Sequence, residues 1–231
     1  PNPRLWDVED PYLYMVNLSH AGDKVNTYFG MRKISVTNLP GTNYPYISLN
    51  NKPVYLQLTL DQSYHPDGFY TFPSDEFMKN EIQMTKDLGL NGLRTHIKID
   101  VPRKLYWADK LGLLVMADLP NSWGEPDAAM QKESEYTLRK MIQRDFNHPA
   151  IFSWIVFNES WGLQTKVLQS ETNKTRNVYL PNTQNWVASM YYLAKSLDPT
   201  RLVEDNSICC GAGHTETDIN SWHEYLPGWA W

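Results

Sequence analysis

Asn158 and Glu159 are the residues of this chain best placed to do chemistry. They end abruptly the run Ile151–Phe157, which is apolar except for Ser153. A carboxylate at the end of such a run is costly to ionise. Its pKa is therefore expected above the usual range, as a general acid at neutral pH requires. The plainer reading is that Glu159 only begins a loop or caps a helix. Asp118 has a similar setting, closing the apolar run Leu113–Ala117.

The elements that must position these residues can be read from the pattern. The run Ile151–Phe157 is short and rich in β-branched and aromatic residues, which predicts a strand buried on both faces, as in parallel sheets. A buried helix competes, but seven residues are few for one. In parallel α/β sheets and barrels the carboxyl ends of strands carry the site. From about residue 45 strand and helix patterns alternate. Strands are expected at Pro53–Leu58, Gly92–Ile97, Leu113–Ala117, Ile151–Phe157, Leu202–Glu204 and Thr217–Trp222. A helix from Ser74 or Asp75 to Leu88 has acids in its first turn, Lys86 in its last and Gly89 just beyond. Pro102 opens a second helix ending at Leu111-Gly112. A third runs through Arg144 with Leu138, Met141 and Ile142 inward. A fourth, Thr183–Leu197, places Trp186, Met190, Leu193 and Leu197 at i, i+4, i+7 and i+11. The polar stretch Leu163–Pro181 lacks periodicity and is expected to be a long excursion. Such a series builds either an open doubly wound sheet or a (β/α) barrel, and periodicity does not separate them. No glycine-rich phosphate loop follows the first strand, so a dinucleotide is not expected.

Residues 1–40 read differently, as two strand-like runs, Tyr12–Leu18 and Val25–Val36, around the turn Ala21-Gly22-Asp23. So few strands cannot close a stable sheet alone, which predicts the tail of a larger β domain. The start reads as a cut, so the compartment is left open. Net charge is −5 with acids and bases interspersed, which argues against nucleic acid as a partner. No stretch approaches the about 20 apolar residues of a membrane span. Nine Trp and fourteen Tyr are a heavy aromatic load, compatible with stacking on sugar rings. Cys209 and Cys210 are adjacent and offer neither a disulfide framework nor a zinc spacing, so free thiols are expected.

Several runs, taken together and in order, resemble glycoside hydrolase family 2. Leu5–Tyr14 is similar to the signature of the immunoglobulin-like domain before that family's barrel, and Phe29–Ile34 to the strand that closes it. Asn50–Val54 resembles the approach to the first barrel strand and Asn91–His96 the second-strand motif. Asn147–Ile151 with Trp154 and Asn158-Glu159 resembles the acid/base signature. Leu197–Arg201 and Asp218–Tyr225 fit the approaches to strands five and six. The resemblance implies a (β/α)8 TIM barrel over residues 41–231, truncated after about six strands, preceded by the C-terminal strands of an immunoglobulin-like β-sandwich over 1–40.

It also implies a retaining β-glycosidase of the galactosidase and glucuronidase kind acting on a carbohydrate. Glu159 would be general acid, then general base, and Asn158 would hold the sugar's 2-hydroxyl. Arg94 and Tyr225 match positions that orient the nucleophilic carboxylate. His96 and His65 match histidines of the sugar pocket. Asp118 falls among the substrate-binding positions, and Trp123 and Trp161 could stack on sugar rings. Glu224 lies beside the sixth strand, whereas the family's nucleophile ends the seventh, beyond Trp231. The chain is thus expected to be an inactive internal fragment of a larger enzyme, with a homo-oligomer of that parent left open. No cofactor is implied, and no metal is carried over, because Asp118-Leu119 stands where magnesium-binding members have Asp-Glu. The rival reading is a non-catalytic carbohydrate-binding protein on the same fold.

Overall fold

The computed structural model describes residues 2–169, 174–209 and 212–226. The chain divides into two compact units, Pro1–Ala117 with Arg144–Ser153, and Asp118–Gln143 with Trp154–Trp231. The first begins with the antiparallel hairpin β1 (Tyr14–His20) and β2 (Asp23–Phe29). Its turn residues Ala21 and Gly22 have φ of +47° and +90°, the sign that matches the twist of paired strands. A small antiparallel sheet follows, β3 (Ile34–Asn38), β4 (Pro45–Leu49) and β5 (Lys52–Pro53). Next come β6 (Leu58–Asp61), helix α1 (Asp75–Asp87), β7 (Gly92–Thr95), α2 (Pro102–Leu111) and β8 (Leu114–Asp118). The chain continues through α3 (Ala128–Asp145), β9 (Ile151–Asn158), the hairpin β10 (Thr165–Gln169) and β11 (Lys174–Val178), α4 (Pro181–Leu197) and β12 (Leu202–Ser207).

Five of these strands form one sheet in the order β12-β9-β8-β7-β6, with β6, β7 and β8 paired in parallel. The order follows the chain without reversal. A doubly wound sheet reverses at its switch point, whereas a barrel does not. All eight residues of β9 are buried, as its apolar run requires. Helix α1 starts where its cap is written: the Ser74 side chain accepts from Phe77 N, and Gly89 follows at φ +82°.

Four expectations are corrected. The first barrel strand is Leu58–Asp61, not Pro53–Leu58, because Pro53 is the end of the short β5 that pairs with β4. The run Val25–Val36 breaks between β2 and β3, where Arg32 turns to donate to Pro149 O at 3.0 Å and Ile151 O at 2.8 Å. The excursion Leu163–Pro181 holds the hairpin β10–β11, mostly exposed, and therefore lacking an apolar side to reveal it. Thr217–Trp222 is no strand; Trp222 makes one parallel bridge with Ile208. The free-thiol expectation also fails at Cys209, which is disulfide-bonded, while Cys210 lies outside the described residues.

Much of the family-like sequence proves to be scaffolding within the first unit. Trp6 is fully buried, and its indole N–H donates to Asp109 O at 2.7 Å. The Asp109 carboxylate accepts from Ala150 N and Tyr28 Oη, both at 2.8 Å, and meets His148 Nδ1 at 2.6 Å. Burial pushes this carboxyl above its ordinary range despite those partners. Lys86 ends α1 but caps α2, donating to Leu111 O at 2.7 Å and Gly112 O at 2.9 Å. That places a cation on the negative end of α2's dipole. Among the described residues no helix is long and apolar enough to cross a membrane.

Candidate active site

At the end of β9 three successive backbone N–H groups are each captured. Asn158 N donates to Asn121 Oδ1 at 2.6 Å, Glu159 N to Ser207 O at 2.7 Å, and Ser160 N to Asn206 Oδ1 at 3.0 Å. Asn206 returns a bond from Nδ2 to Ser160 Oγ at 3.1 Å, and Asn121 Nδ2 donates to Val156 O at 3.1 Å. These ties hold Glu159 and Ser160 at φ +49° and +60°, a left-handed conformation costing about 1–2 kcal/mol per non-glycine residue. Such strain persists only where the surroundings over-determine it, and it concentrates at functional sites. Glu159 therefore sits on a tight turn, not at a helix cap.

The Glu159 side chain is 14% exposed, and its Oε1 is doubly engaged. His223 Nδ1 lies 2.7 Å from it, and the Tyr225 hydroxyl donates to the same oxygen. The far side of the imidazole, Nε2, hydrogen-bonds Ser207 Oγ at the end of β12. Tyr225 is thus brought to the Glu159 carboxylate, whereas the resemblance implied that it orients the nucleophilic one. His223 and Ser207 were not singled out from the sequence. The usable signal was spacing, since residues two apart in an extended segment share a side, and His223 precedes Tyr225 by two. The segment carrying both is pinned to β12. His223 N donates to Ile208 O at 3.0 Å, and Ser221 Oγ donates to Glu204. Buried Asp205 accepts from Thr215 N at 2.6 Å and meets His214 Nδ1 at 2.7 Å. The Glu224 carboxylate is spent locally, accepting from Tyr225 N and Leu226 N.

In the same unit Asn158 and Asp118 are the last residues of β9 and β8, and each is 1% exposed. Trp123 and Trp161 stack on each other, ring centroids 4.0 Å apart at 28°, leaving Trp123 76% exposed. They form one aromatic platform instead of two separate ones. In the first unit Arg94 is half-buried near the carboxyl end of β7, in register with Leu60 and Met116. His96 follows that strand, donating its backbone N–H to Asp61 O at 2.9 Å, with Nδ1 3.4 Å from Gln62 Nε2. His65 is folded into its own loop: Nδ1 accepts from Asp67 N at 3.2 Å, and the ring meets Phe77 edge-on. Among the described residues no group of three or more His, Cys, Asp or Glu is arranged to hold a metal ion.

Residues 43–222 match the model of the glycosyl hydrolases family 2 TIM barrel domain, and residues 1–32 match a second model of family 2. A beta-galactosidase of Thermoanaerobacterium thermosulfurigenes is 33% identical over 163 residues, covering 68% of this chain and 22% of that protein. A beta-galactosidase of Bacteroides ovatus is 25% identical over 235 residues, covering 87% of this chain and 26% of that protein. The apo structure of beta-glucuronidase 3 from Bacteroides uniformis superposes with a TM-score of 0.69 at 25% identity, covering 87% of this chain and 24% of that one. The chain thus spans about a quarter of the length of these relatives. Five sheet strands in barrel order and a family model over most of the chain lead to one conclusion. This chain belongs to glycosyl hydrolase family 2, and its parallel sheet is part of that family's TIM barrel.

Proposed function

We propose that this chain is part of a retaining β-glycosidase that hydrolyses terminal β-linked sugars, β-galactosides first and β-glucuronides as the alternative, with residues 1–40 the end of an immunoglobulin-like domain. The observation that carries this reading is the Glu159 carboxyl, mostly buried on a strained strand end with one oxygen held by Tyr225 and His223. In the first step Glu159 protonates the leaving oxygen while a nucleophilic carboxylate, beyond Trp231, takes the sugar. In the second it removes a proton from the water that attacks the glycosyl-enzyme. Asn158 holds the 2-hydroxyl and Arg94 orients the nucleophile, whereas Tyr225, which the resemblance matches to that same role, has its hydroxyl on Glu159. His65 and His96 in the first unit and Asp118 in the second are taken as sugar-binding residues on the resemblance, and the stacked Trp123 and Trp161 offer a face to a sugar ring or aglycone.

The test is Glu159→Ala in the full-length protein. Good leaving groups need little protonation, so a dinitrophenyl glycoside should give a burst followed by turnover about 10²–10⁴-fold slower. Azide needs no base and should restore turnover, giving the β-glycosyl azide. An α-azide would make Glu159 the nucleophile. A folded variant with neither burst nor azide effect supports the non-catalytic carbohydrate-binding protein. Comparing aryl β-galactosides with aryl β-glucuronides decides the sugar.

A further inference from the structure

Glu159 has two carboxylate oxygens, and among the described residues its side-chain hydrogen bonds fall on Oε1. Oε1 is occupied by the Tyr225 hydroxyl and by His223 Nδ1 at 2.7 Å. Both partners belong to one short segment, and the imidazole is backed at Nε2 by Ser207 Oγ. From the geometry we infer that His223, fixed by Ser207, is a positioning residue for the acid/base: it holds Glu159 Oε1 with an Nδ1–H donor and leaves Oε2 as the oxygen that gives and takes the proton. This rests on Glu159 being the acid/base, as proposed above.

The hydrogen bookkeeping requires one tautomer at the moment the carboxylate is charged. A carboxylate oxygen only accepts, so Nδ1 must carry the proton and Nε2 must be the acceptor. The acceptor at Nε2 is then satisfied by the Ser207 hydroxyl, whose proton can rotate toward the ring. In glycosylation the proton on Glu159 Oε2 passes to the leaving oxygen, which keeps the electron pair of the broken C1–O bond. The negative charge that appears on Glu159 is met at Oε1 by two donors already in place, so no reorganisation is needed. In deglycosylation the water oxygen bonds to C1 as its proton moves to Oε2. The bond from C1 to the nucleophile breaks at the same time, returning its electron pair to that carboxylate. His223 ends each step with the protons it began with.

Glu159 comes from the end of β9 and Ser207 from β12. Tyr225, whose hydroxyl lies 3.5 Å from His223 Nδ1, comes from the same segment as His223. The neighbouring Glu224 caps its own turn and is exposed. Removing the Nδ1–H donor should make the Glu159 carboxylate less favourable and so raise the pH at which the acid is lost.

The experiment uses the full-length protein with His223→Leu, His223→Asn and Ser207→Ala, assayed on nitrophenyl and dinitrophenyl glycosides of the preferred sugar. Asparagine can place its Nδ2–H where the imidazole has Nδ1–H; leucine cannot. His223→Leu should move the alkaline limb of kcat/KM upward by about one pH unit, the size expected of one charge-assisted hydrogen bond. It should also lower kcat on the dinitrophenyl glycoside, where deglycosylation limits, by about tenfold. His223→Asn should restore the wild-type limb, and Ser207→Ala should shift it in the same direction by less. A limb that stays put in His223→Leu, or in Ser207→Ala if the leucine variant fails to fold, overturns the inference. So does an asparagine variant whose limb matches that of the leucine variant. Glu159→Ala with azide rescue but unmoved limbs in the His223 variants refutes only this inference; absence of rescue refutes the underlying assignment instead.

Discussion

The indole N–H of Trp154 donates to Asp198 Oδ2 at 2.9 Å, tying the middle of β9 to the residue that closes α4. The same carboxylate accepts from Arg201 NH1 at 2.6 Å and from Thr200 N and Oγ1, and it is fully buried. Two runs that resemble family motifs are thereby one buried network. Burial is the largest influence on Asp198 and opposes its charge. Arg201, Thr200 and Trp154 together outweigh it and hold the carboxyl below its ordinary range. Arg201→Met, which strands that charge, should cost about 3–5 kcal/mol in a urea titration at pH 7. A carboxyl depressed in the folded state adds stability above its unfolded pKa of 3.8, which is lost as pH falls through the lower folded value. The penalty of Asp198→Asn should therefore be full above pH 3.8 and shrink below it. A penalty independent of pH would mean the carboxylate is not charged in the folded protein.

Lys104 makes the complementary prediction in the first unit. Its ammonium, 2% exposed, donates to Asp61 Oδ2 at 2.5 Å and meets Glu81 at 3.1 Å, with Asp100 at 3.9 Å. Burial alone would depress its pKa, but Asp100, Asp61 and Glu81 more than offset that and raise it. A raised folded pKa adds stability below the unfolded value of 10.5, lost as pH rises through the folded one. Lys104→Met should cost about 3–5 kcal/mol at pH 7, and the gap to wild type should narrow only above pH 10.5. Equal stability at pH 7 would show that the three carboxylates do not need the cation.

Two glycines separate crowding from backbone strain. A Cβ on Gly30 would lie 2.7 Å from Pro149 Cγ and 3.2 Å from Trp6 Cβ, both in buried surroundings that cannot yield far. Gly30→Ala should cost about 1–3 kcal/mol through overpacking. A Cβ on Gly22 would meet nothing within 4 Å, but φ there is +90°, so Gly22→Ala should cost about 1 kcal/mol through strain alone. Thermal melts of both variants check the order; a larger loss at Gly22 would reverse the assignment.

The legible parts of this fold are those in which local chemistry and burial agree. Ser74 and Gly89 bound α1 because a cap and a left-handed stop were written beside an apolar stripe. The run Ile151–Phe157 is β9 because a doubly covered strand leaves no polar side. In α4 helical spacing pointed to Trp186, Met190, Leu193 and Leu197 as the inward stripe, yet the buried residues are Thr183, Val187, Met190 and Ala194. Trp186 instead packs sideways on Phe157, so only Met190 is common to both. The strand β4 and the hairpin β10–β11 escaped notice because β4 is buried only at its end and the hairpin is mostly exposed, so neither alternates apolar and polar residues. At the candidate site, the apolar strand pointed to Glu159 and the family resemblance to Tyr225, and the two side chains meet. His223 was hidden because a histidine acquires its meaning only from what faces its two nitrogens, here Glu159 and Ser207.

The strained backbone of Glu159 allows a prediction that is independent of any substrate. At an ordinary position glycine is less stable than alanine by about 0.5–1 kcal/mol, because the unfolded chain is freer. At φ +49° the preference should invert, since alanine bears the clash of its Cβ in the left-handed region and glycine does not. Glu159→Gly and Glu159→Ala both remove the carboxylate, so the contacts to His223 and Tyr225 are lost equally and cancel in the comparison. What remains is the backbone. Glu159→Gly should be the more stable of the two by about 1 kcal/mol in urea titrations, although both lack the carboxyl. If glycine proves the less stable variant, the chain does not hold Glu159 left-handed in solution. The strand-end turn fixed by Asn121, Ser207 and Asn206 would then not be what aims the carboxyl.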